Sequence, residues 1–387
     1  MIELLFILLP IAALYGFVMG KRYSNNDKSS KKSSQLRFFI KGINYFMNRD
    51  TEKASDEFLH YFNSEGDKTY EEIIALGNIF RERGDLDSAI KFHQSLMTKE
   101  GLEPEQRSYA LYELSKDFKK VGLLNKAEEI LNELLSYNTE RKRAAILLIS
   151  IYEQEKDWAK ALNLIETYKG VLGNALAQKK AHFYCELAND EVTTNNTNKA
   201  IDLFKKALGA NPKCFRAYFS LAKIYIEKED FKVAITYLEK AQETDPKMQD
   251  MLVKHLQKCF ANLNDEEFAG ILNKWLEKEQ TIDVIIALAD YKFSYVSKEE
   301  AEQFLMRILK VHPHIGAYAK LLTYRLSDLD PKSQERLAIL KSLIETYQLR
   351  KPRFICKHCG FKSSILFWKC PSCQTWDGMK PTDSDML

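Results

Sequence analysis

The sequence predicts an all-α protein: an N-terminal transmembrane helix, a long array of paired helices and a small C-terminal domain held by a four-cysteine metal site. Three observations carry this. Glycine and proline, which interrupt helices through backbone entropy and a missing N–H, number only 15 and 9 in 387 residues. Small residues recur about every 34 positions from residue 54 onward. Four of the seven cysteines fall within 18 residues near the C-terminus. With 45% hydrophobic and 29% charged residues, the chain has ample apolar sequence for a core. Collagen-like, low-complexity and largely disordered classes are excluded. An all-β sandwich, which needs many Gly/Pro turns, does not fit.

Residues 1–20 read as the membrane anchor. Leu4 to Met19 is a run of 16 residues without a charge, preceded by Glu3 and ended by Lys21 and Arg22. A bilayer core needs roughly 20 helical residues; Ile2, Gly20 and snorkelling by Lys21 and Arg22 extend the run. Pro10 falls mid-span, where lipid tolerates it better than water does. A secretory signal would carry its positive charge before the apolar run, and here all of it follows. A buried core helix followed at once by a polar linker would have little to pack against. Since Lys and Arg stay on the cytoplasmic side, the N-terminus is expected outside and everything after Lys21 in the cytoplasm.

Residues 21–35 form a basic, flexible linker rich in Ser, Asn and Lys. Seven basic residues and one acid lie between Lys21 and Lys41, against a net charge of only +3 for the chain. The basicity is therefore local. It suits contact with anionic headgroups, and the small total gives no reason to expect nucleic-acid binding.

Residues 36–350 read as the repeat array. Ala54, Ala89, Ala127, Ala161, Ala200, Ala234 and Ala301 mark successive copies, with Phe268 near the one missing mark. Twelve residues before these markers stand Gly42, Gly77, Ser115, Ala188, Ala222 and Ala289, with Ile149 the exception. Three residues after that position comes an aromatic in five copies: Tyr45, Phe80, Phe118, Tyr152 and Tyr225. Pro212, Pro246 and Pro313 each follow a marker by twelve, and Gly84 and Gly122 sit in inter-helix turns. Two antiparallel helices can touch closely at the small residue, the aromatic fills the adjacent gap, and each pair leaves an apolar face for the next to cover. The pattern resembles the tetratricopeptide repeat from Leu36 to Tyr347, with a degenerate copy around residues 250–280. That resemblance implies a superhelix whose inner groove binds peptides or protein surfaces. It also implies groove-facing positions at Asn78, Arg81, Lys116, Lys119, Lys120 and Lys223, suited to an acidic peptide or a carboxylate terminus.

No catalytic constellation emerges, and the chain reads as a non-enzyme. His60, His93, His182, His255, His312 and His314 are scattered without a metalloprotease or nucleophile motif and read as packing or surface residues. The carboxylates alternate with Lys and Arg as solvated helix faces do.

Residues 351–387 carry Cys356-Lys-His-Cys359-Gly and Cys370-Pro-Ser-Cys373, a C-x2-C-x10-C-x2-C pattern. A two-residue gap lets both thiolates of one turn converge on one ion, and two turns supply a tetrahedral sulfur set. Stable disulfides are disfavoured in the expected compartment, and thioredoxin-like chemistry would need a single CxxC in a βαβ unit. Phe354, Phe361, Phe367, Trp368 and Trp376 are expected to form a small core around the ion. So short a segment cannot fold on apolar burial alone, so the ion, zinc or iron, should contribute much of its stability. His358 is a possible ligand, though four thiolates complete the shell. The knuckles resemble rubredoxin and zinc ribbons alike. Two roles stand open: electron transfer, or a structural clip docking on the last repeats.

The union of MIELLFILLPIAALYGFVMGKR, the repeats LGNIFRERGDLDSAIKFHQSLM and AHFYCELA, and the tail KPRFICKHCGF…FWKCPSCQTW resembles the lipopolysaccharide assembly protein B family over nearly the whole chain. The resemblance implies a single-pass inner-membrane protein of Gram-negative bacteria facing the cytoplasm. It implies an adaptor that promotes proteolysis of the UDP-acyl-GlcNAc deacetylase LpxC by the membrane protease FtsH, restrained by an inner-membrane lipopolysaccharide sensor. A scaffold gathering lipopolysaccharide synthesis or export proteins is the alternative, electron transfer a third reading, and homo-oligomerisation is open.

Overall fold

The computed structural model describes Met19 and residues 37–48, 50–64, 68–260, 266–326 and 330–382. The expected membrane anchor, apart from Met19, and the linker lie outside them. Among the described residues no helix is long and apolar enough to cross a membrane. The chain divides into two compact units, residues 1–156 and 157–387.

The first unit holds seven α-helices of ten or more residues among its described residues: α1 (37–47), α2 (Thr51–Asn63), α3 (Tyr70–Arg83), α4 (Leu86–Ser95), α5 (Pro104–Val121), α6 (Leu124–Leu134) and α7 (Arg141–Glu155), with a 3-10 turn at Leu96–Thr98. The second begins with α8 (Trp158–Thr167), α9 (Lys169–Leu172), α10 (Ala177–Thr193), α11 (Thr197–Ala210), α12 (Phe215–Glu227) and α13 (Phe231–Thr244). It continues with α14 (Asp250–Cys259), α15 (Glu266–Lys278), α16 (Ile282–Tyr295), α17 (Lys298–Val311), α18 (Ile315–Leu326) and α19 (Pro331–Arg350). Three short strands close it: β1 (Phe354–Cys356), β2 (Lys362–Ser363) and β3 (Met379–Pro381), in the antiparallel order β2-β1-β3.

All seven alanine markers occupy the fourth position of their helices and are at most 2% exposed. The backbone N–H of each bonds the carbonyl four residues back, making it the first residue tied into its helix. The residue supplying that carbonyl is Asp50, Asp85, Asp157, Asp230 or Ser297 in five copies, where its side chain also accepts a bond from the first turn and satisfies an otherwise orphaned donor. In the degenerate copy Phe268 stands third in α15 and is 2% exposed. An aromatic there takes the buried place a small residue holds elsewhere. Pro212, Pro246 and Pro313 each stand two residues beyond a helix end, where they block continuation.

The inter-helix turn needs a residue in the left-handed region. Gly84 and Gly122 meet this with φ of 93° and 90°, whereas Lys156, Asn195 and Glu229 hold it at 60° without the freedom of glycine. Close approach is sharpest at Gly77. A Cβ there would lie 2.4 Å from Nε2 of His93, and His93 is fully buried and held by Asp117. The core of the first unit packs Phe80 edge-on to Phe58 and tilted against Phe92 between successive hairpins.

Candidate metal centre

β1 delivers Cys356 into the first knuckle. There the Cys356 N–H donates to the Phe361 carbonyl at 2.8 Å and the Gly360 N–H to the Cys356 carbonyl at 2.9 Å. The second knuckle repeats the geometry. The Cys370 N–H donates to Thr375, and the Gln374 N–H to Cys370, both at 2.9 Å. The residue after each second cysteine lies in the left-handed region, Gly360 at φ 76° and Gln374 at φ 59°. That turn aims both sulfurs of a knuckle the same way. β3 lies along β1, pairing Cys356 with Met379, and brings the knuckles face to face.

All four cysteines are free thiols, with ligand atoms within 4.8 Å of one another. The sulfurs of Cys356 and Cys373 stand 3.6 Å apart, and those of Cys359 and Cys370 3.7 Å apart. A disulfide would need about 2.05 Å. Four sulfurs at about 2.3 Å from a central ion, arranged tetrahedrally, would lie about 3.8 Å apart, so the set fits one soft divalent ion. Thr375 Oγ1, 3.3 Å from the Cys373 sulfur, holds that thiol down at about 5, while burial pushes Cys370 up to about 11. A cation would supply the charge that lets the remaining thiols deprotonate. The sulfurs suit zinc and iron equally.

The aromatic residues depart from the sequence expectation. Phe361 and Phe367 pack within the small domain, but Trp368 and Trp376 turn outward onto the helices. The indole of Trp376 stacks on the His182 imidazole at 4.5 Å, with Phe183 and Trp158 against its edge. Its neighbour Asp377 accepts bonds from Gln178 at 2.9 Å and His182 Nε2 at 2.8 Å. Burial opposes the Asp377 charge, but these two bonds, the His182 charge and Lys380 outweigh it and hold the carboxyl below its usual range. Trp368 lies over Phe215 at 6.1 Å and over the Arg216 guanidinium at 5.7 Å, and Arg216 is paired with Glu186 at 2.8 Å. Lys380 reaches Asp245 at 2.7 Å. Phe354, Cys356, Cys370 and Met379 share one core with Phe215, Phe219 and Met248.

The domain therefore docks on α8, α10, α12 and the turn after α13, and Arg353, just before β1, also pairs with Asp283 of α16 at 3.7 Å. The 20-residue α19 spans about 30 Å, so the chain need not dock where the array ends. His182, read from the sequence as a packing or surface residue, is fully buried and packs against the metal domain, a contact the sequence reading did not assign. Its only signal was indirect: two tryptophans in a segment too small to bury both.

The six expected groove residues are divided between the two units. Lys223 lies in the second unit, its ammonium over the Phe219 ring at 5.0 Å and its pKa lowered by burial. Asn78, Arg81, Lys116, Lys119 and Lys120 lie on α3 and α5 of the first unit. Arg81 is only 5% exposed, which corrects its assignment to a partner-binding surface. It bonds Glu113, and Asp117 at 2.9 Å, while Asp117 also takes His93. An arginine held between two buried carboxylates ties neighbouring hairpins together and is not presented to a ligand. Asn78 accepts from Arg81, Lys116 pairs with Glu113 at 2.8 Å, Lys119 donates to Ser150 at 2.6 Å, and Lys120 donates to the Arg81 carbonyl at 2.8 Å.

Residues 354–381 match a family model described as the rubredoxin metal binding domain, and residues 73–107 and 185–248 match tetratricopeptide repeat models. Lipopolysaccharide assembly protein B of Escherichia coli K12 is 32% identical over 383 residues, covering 98% of both chains. The protein of that name from Haemophilus influenzae is 29% identical, covering 99% of both. Among solved structures, the crystal structure of MamA covers 44% of this chain and 95% of its own at 24% identity, with a TM-score of 0.32.

Proposed function

The chain belongs to the lipopolysaccharide assembly protein B family, and on that ground we propose that it is an adaptor in lipopolysaccharide assembly rather than an enzyme. The observation that carries this is the similarity to relatives of that name over 98% of both chains. It spans repeats and metal domain together, whereas the repeats alone would be unspecific. Helical hairpins offer surfaces for protein partners, and the metal domain braces some of those hairpins. Cys356, Cys359, Cys370 and Cys373 would hold one zinc or iron ion, whose contribution is structural: it fixes both knuckles and so presents Trp368, Trp376 and Asp377 to the helices.

The finer reading is that this adaptor promotes FtsH-dependent proteolysis of the deacetylase LpxC and answers to a lipopolysaccharide sensor. Residues 1–20 are read as a single-pass inner-membrane anchor, with the bulk of the chain cytoplasmic. Leu4 to Met19 without a charge and Lys21-Arg22 directly after it support that placement. Confinement beside a membrane protease raises effective concentration without any new contact.

The test is the deacetylase half-life after translation is stopped, with this protein present and then depleted. A markedly longer half-life on depletion supports the proteolytic adaptor. An unchanged half-life contradicts it and leaves the scaffold, for which crosslinking should recover lipopolysaccharide synthesis or export proteins.

A further inference from the structure

We propose that α1 lies on the surface of an anionic bilayer, with Ile40, Ile43 and Met47 sunk into the boundary between headgroups and acyl chains. This contact, which rests on the reading of residues 1–20 as a membrane anchor, is a second one that the anchor itself does not require.

α1 carries two apolar faces, where a helix packed on one neighbour needs one. Phe38, Phe39 and Tyr45 pack on the core of the first unit. Gly42 brings α1 so close to α2 that a Cβ there would lie 2.6 Å from the Phe58 ring. The second face is open. Ile40 is 48%, Ile43 36% and Met47 76% exposed, and at 3.6 residues per turn these three share one stripe. Phe46, also exposed, borders it. Between residues 50 and 120 no large apolar side chain among the described residues is exposed to this degree. Apolar residues exposed singly are ordinary, whereas a contiguous stripe marks a contact.

Charge decides what makes that contact. Arg37, Lys41 and Asn44 are exposed along one flank of the stripe. Lys41 pairs with Glu57 at 3.6 Å, yet its side chain stays 45% exposed. Just before α1, residues 21–35 hold five basic residues and one acid, against +3 for the whole chain. Fifteen residues reach no more than roughly 50 Å, so α1 cannot leave the neighbourhood of the bilayer that holds the anchor. An apolar stripe with Lys and Arg beside it is the pattern of a helix lying in the membrane interface, and anionic headgroups attract each cation near them. A second protein is the poorer occupant. Three aliphatic side chains fall well short of the roughly 800 Å² that each partner of a stable interface buries. Seated on the bilayer, α1 holds the start of the array at the membrane surface.

The test reconstitutes the full metal-loaded chain into vesicles of phosphatidylethanolamine and phosphatidylglycerol, doped with a lipid that carries a diazirine near the glycerol end of its acyl chain. Illumination, digestion and mass spectrometry then locate lipid-labelled residues. The expected result is label in residues 1–20 and again across Ile40 to Met47. In the Ile40→Ser, Met47→Ser double variant, changed only at exposed positions and checked for an unaltered thermal midpoint, the second label should fall severalfold while the first remains. Replacing phosphatidylglycerol by phosphatidylcholine should also weaken the second label. Label in residues 1–20 with none in 37–47 would overturn the proposal and leave the anchor standing. Label in 37–47 alone would support the interface helix and overturn the anchor, and label in neither would remove both. Crosslinks joining residues 37–47 of two copies, without lipid label there, would give the stripe to a second copy and overturn the proposal.

Discussion

His182 and Trp376 stack with ring planes 12° apart and centroids 4.5 Å apart, while Nε2 of the same imidazole bonds the adjacent Asp377. One helix residue therefore meets both an apolar ring and a charge from the metal domain. Removing either contact should weaken docking. His182→Ala and Asp377→Asn are each expected to destabilise the second unit by about 1.5–3 kcal/mol, the range for hydrogen bonds to charged groups. The double variant should cost less than the sum, because both remove one bond. Urea unfolding of the four chains measures this, and strict additivity would show that the two residues do not act on each other.

Asp250 gives the pH dependence. Its Oδ1 accepts the Asp283 N–H at 3.1 Å, and burial followed by the Asp283 charge raises its carboxyl from 3.8 to about 6. The folded pKa is raised, so the folded chain binds more protons between about pH 4 and 6. Its stability contribution is complete below about pH 4 and declines as pH rises through about 6. Asp250→Asn keeps the acceptor oxygen, and stability measured across that window should lose Asp250's part of the decline, leaving that of Asp283, whose carboxyl burial also raises. An unchanged slope would show that Asp250 titrates normally.

Within the first unit, Arg81 and Gly77 should be intolerant for different reasons. Arg81→Ala leaves Glu113 with Lys116 alone and Asp117 with His93 alone, an expected loss of about 1.5–3 kcal/mol for the lost charged hydrogen bonds. Gly77→Ala drives a methyl into a histidine that Asp117 holds in place, an expected loss of about 1–3 kcal/mol. Thermal unfolding checks both, and an unchanged midpoint for Arg81→Ala would mean that water reaches the cluster.

Glu229 is exposed and left-handed, at φ 60°, where Gly84 and Gly122 stand in equivalent turns. A side chain in that region costs about 1–2 kcal/mol, and glycine gives part of this back as unfolded-state entropy. Glu229→Gly should therefore raise stability by about 0.5–1 kcal/mol, read from the urea midpoint. A lower midpoint would show that Glu229 makes a favourable contact in the turn.

Much of the array was legible because its signal is local and repeated. A buried small residue at the fourth position of a helix recurs wherever Ala54 to Ala301 recur, and prolines mark helix ends through their own stereochemistry. The cysteine spacing announced a metal centre because two-residue gaps make converging turns. What stayed hidden depends on packing between distant segments. Arg81 looked like a surface cation until Glu113 and Asp117 were seen to enclose it. His182 looked like one of several scattered histidines because its partner Asp377 lies 195 positions away. The tryptophans looked like a private core because no local pattern states which surface a ring will cover.

The most direct measurement is hydrogen exchange of α10 and α12 in the metal-loaded chain and after chelation. A structural clip requires that removing the ion unfold residues 354–381 and expose helix positions that Trp376, Asp377 and Trp368 cover. Protection should fall most at Gln178 to Cys185 and at Phe215 to Phe219, while α3 to α5 keep theirs. Unchanged protection in α10 and α12, with the metal domain unfolded, would contradict the claim that this domain braces the helices.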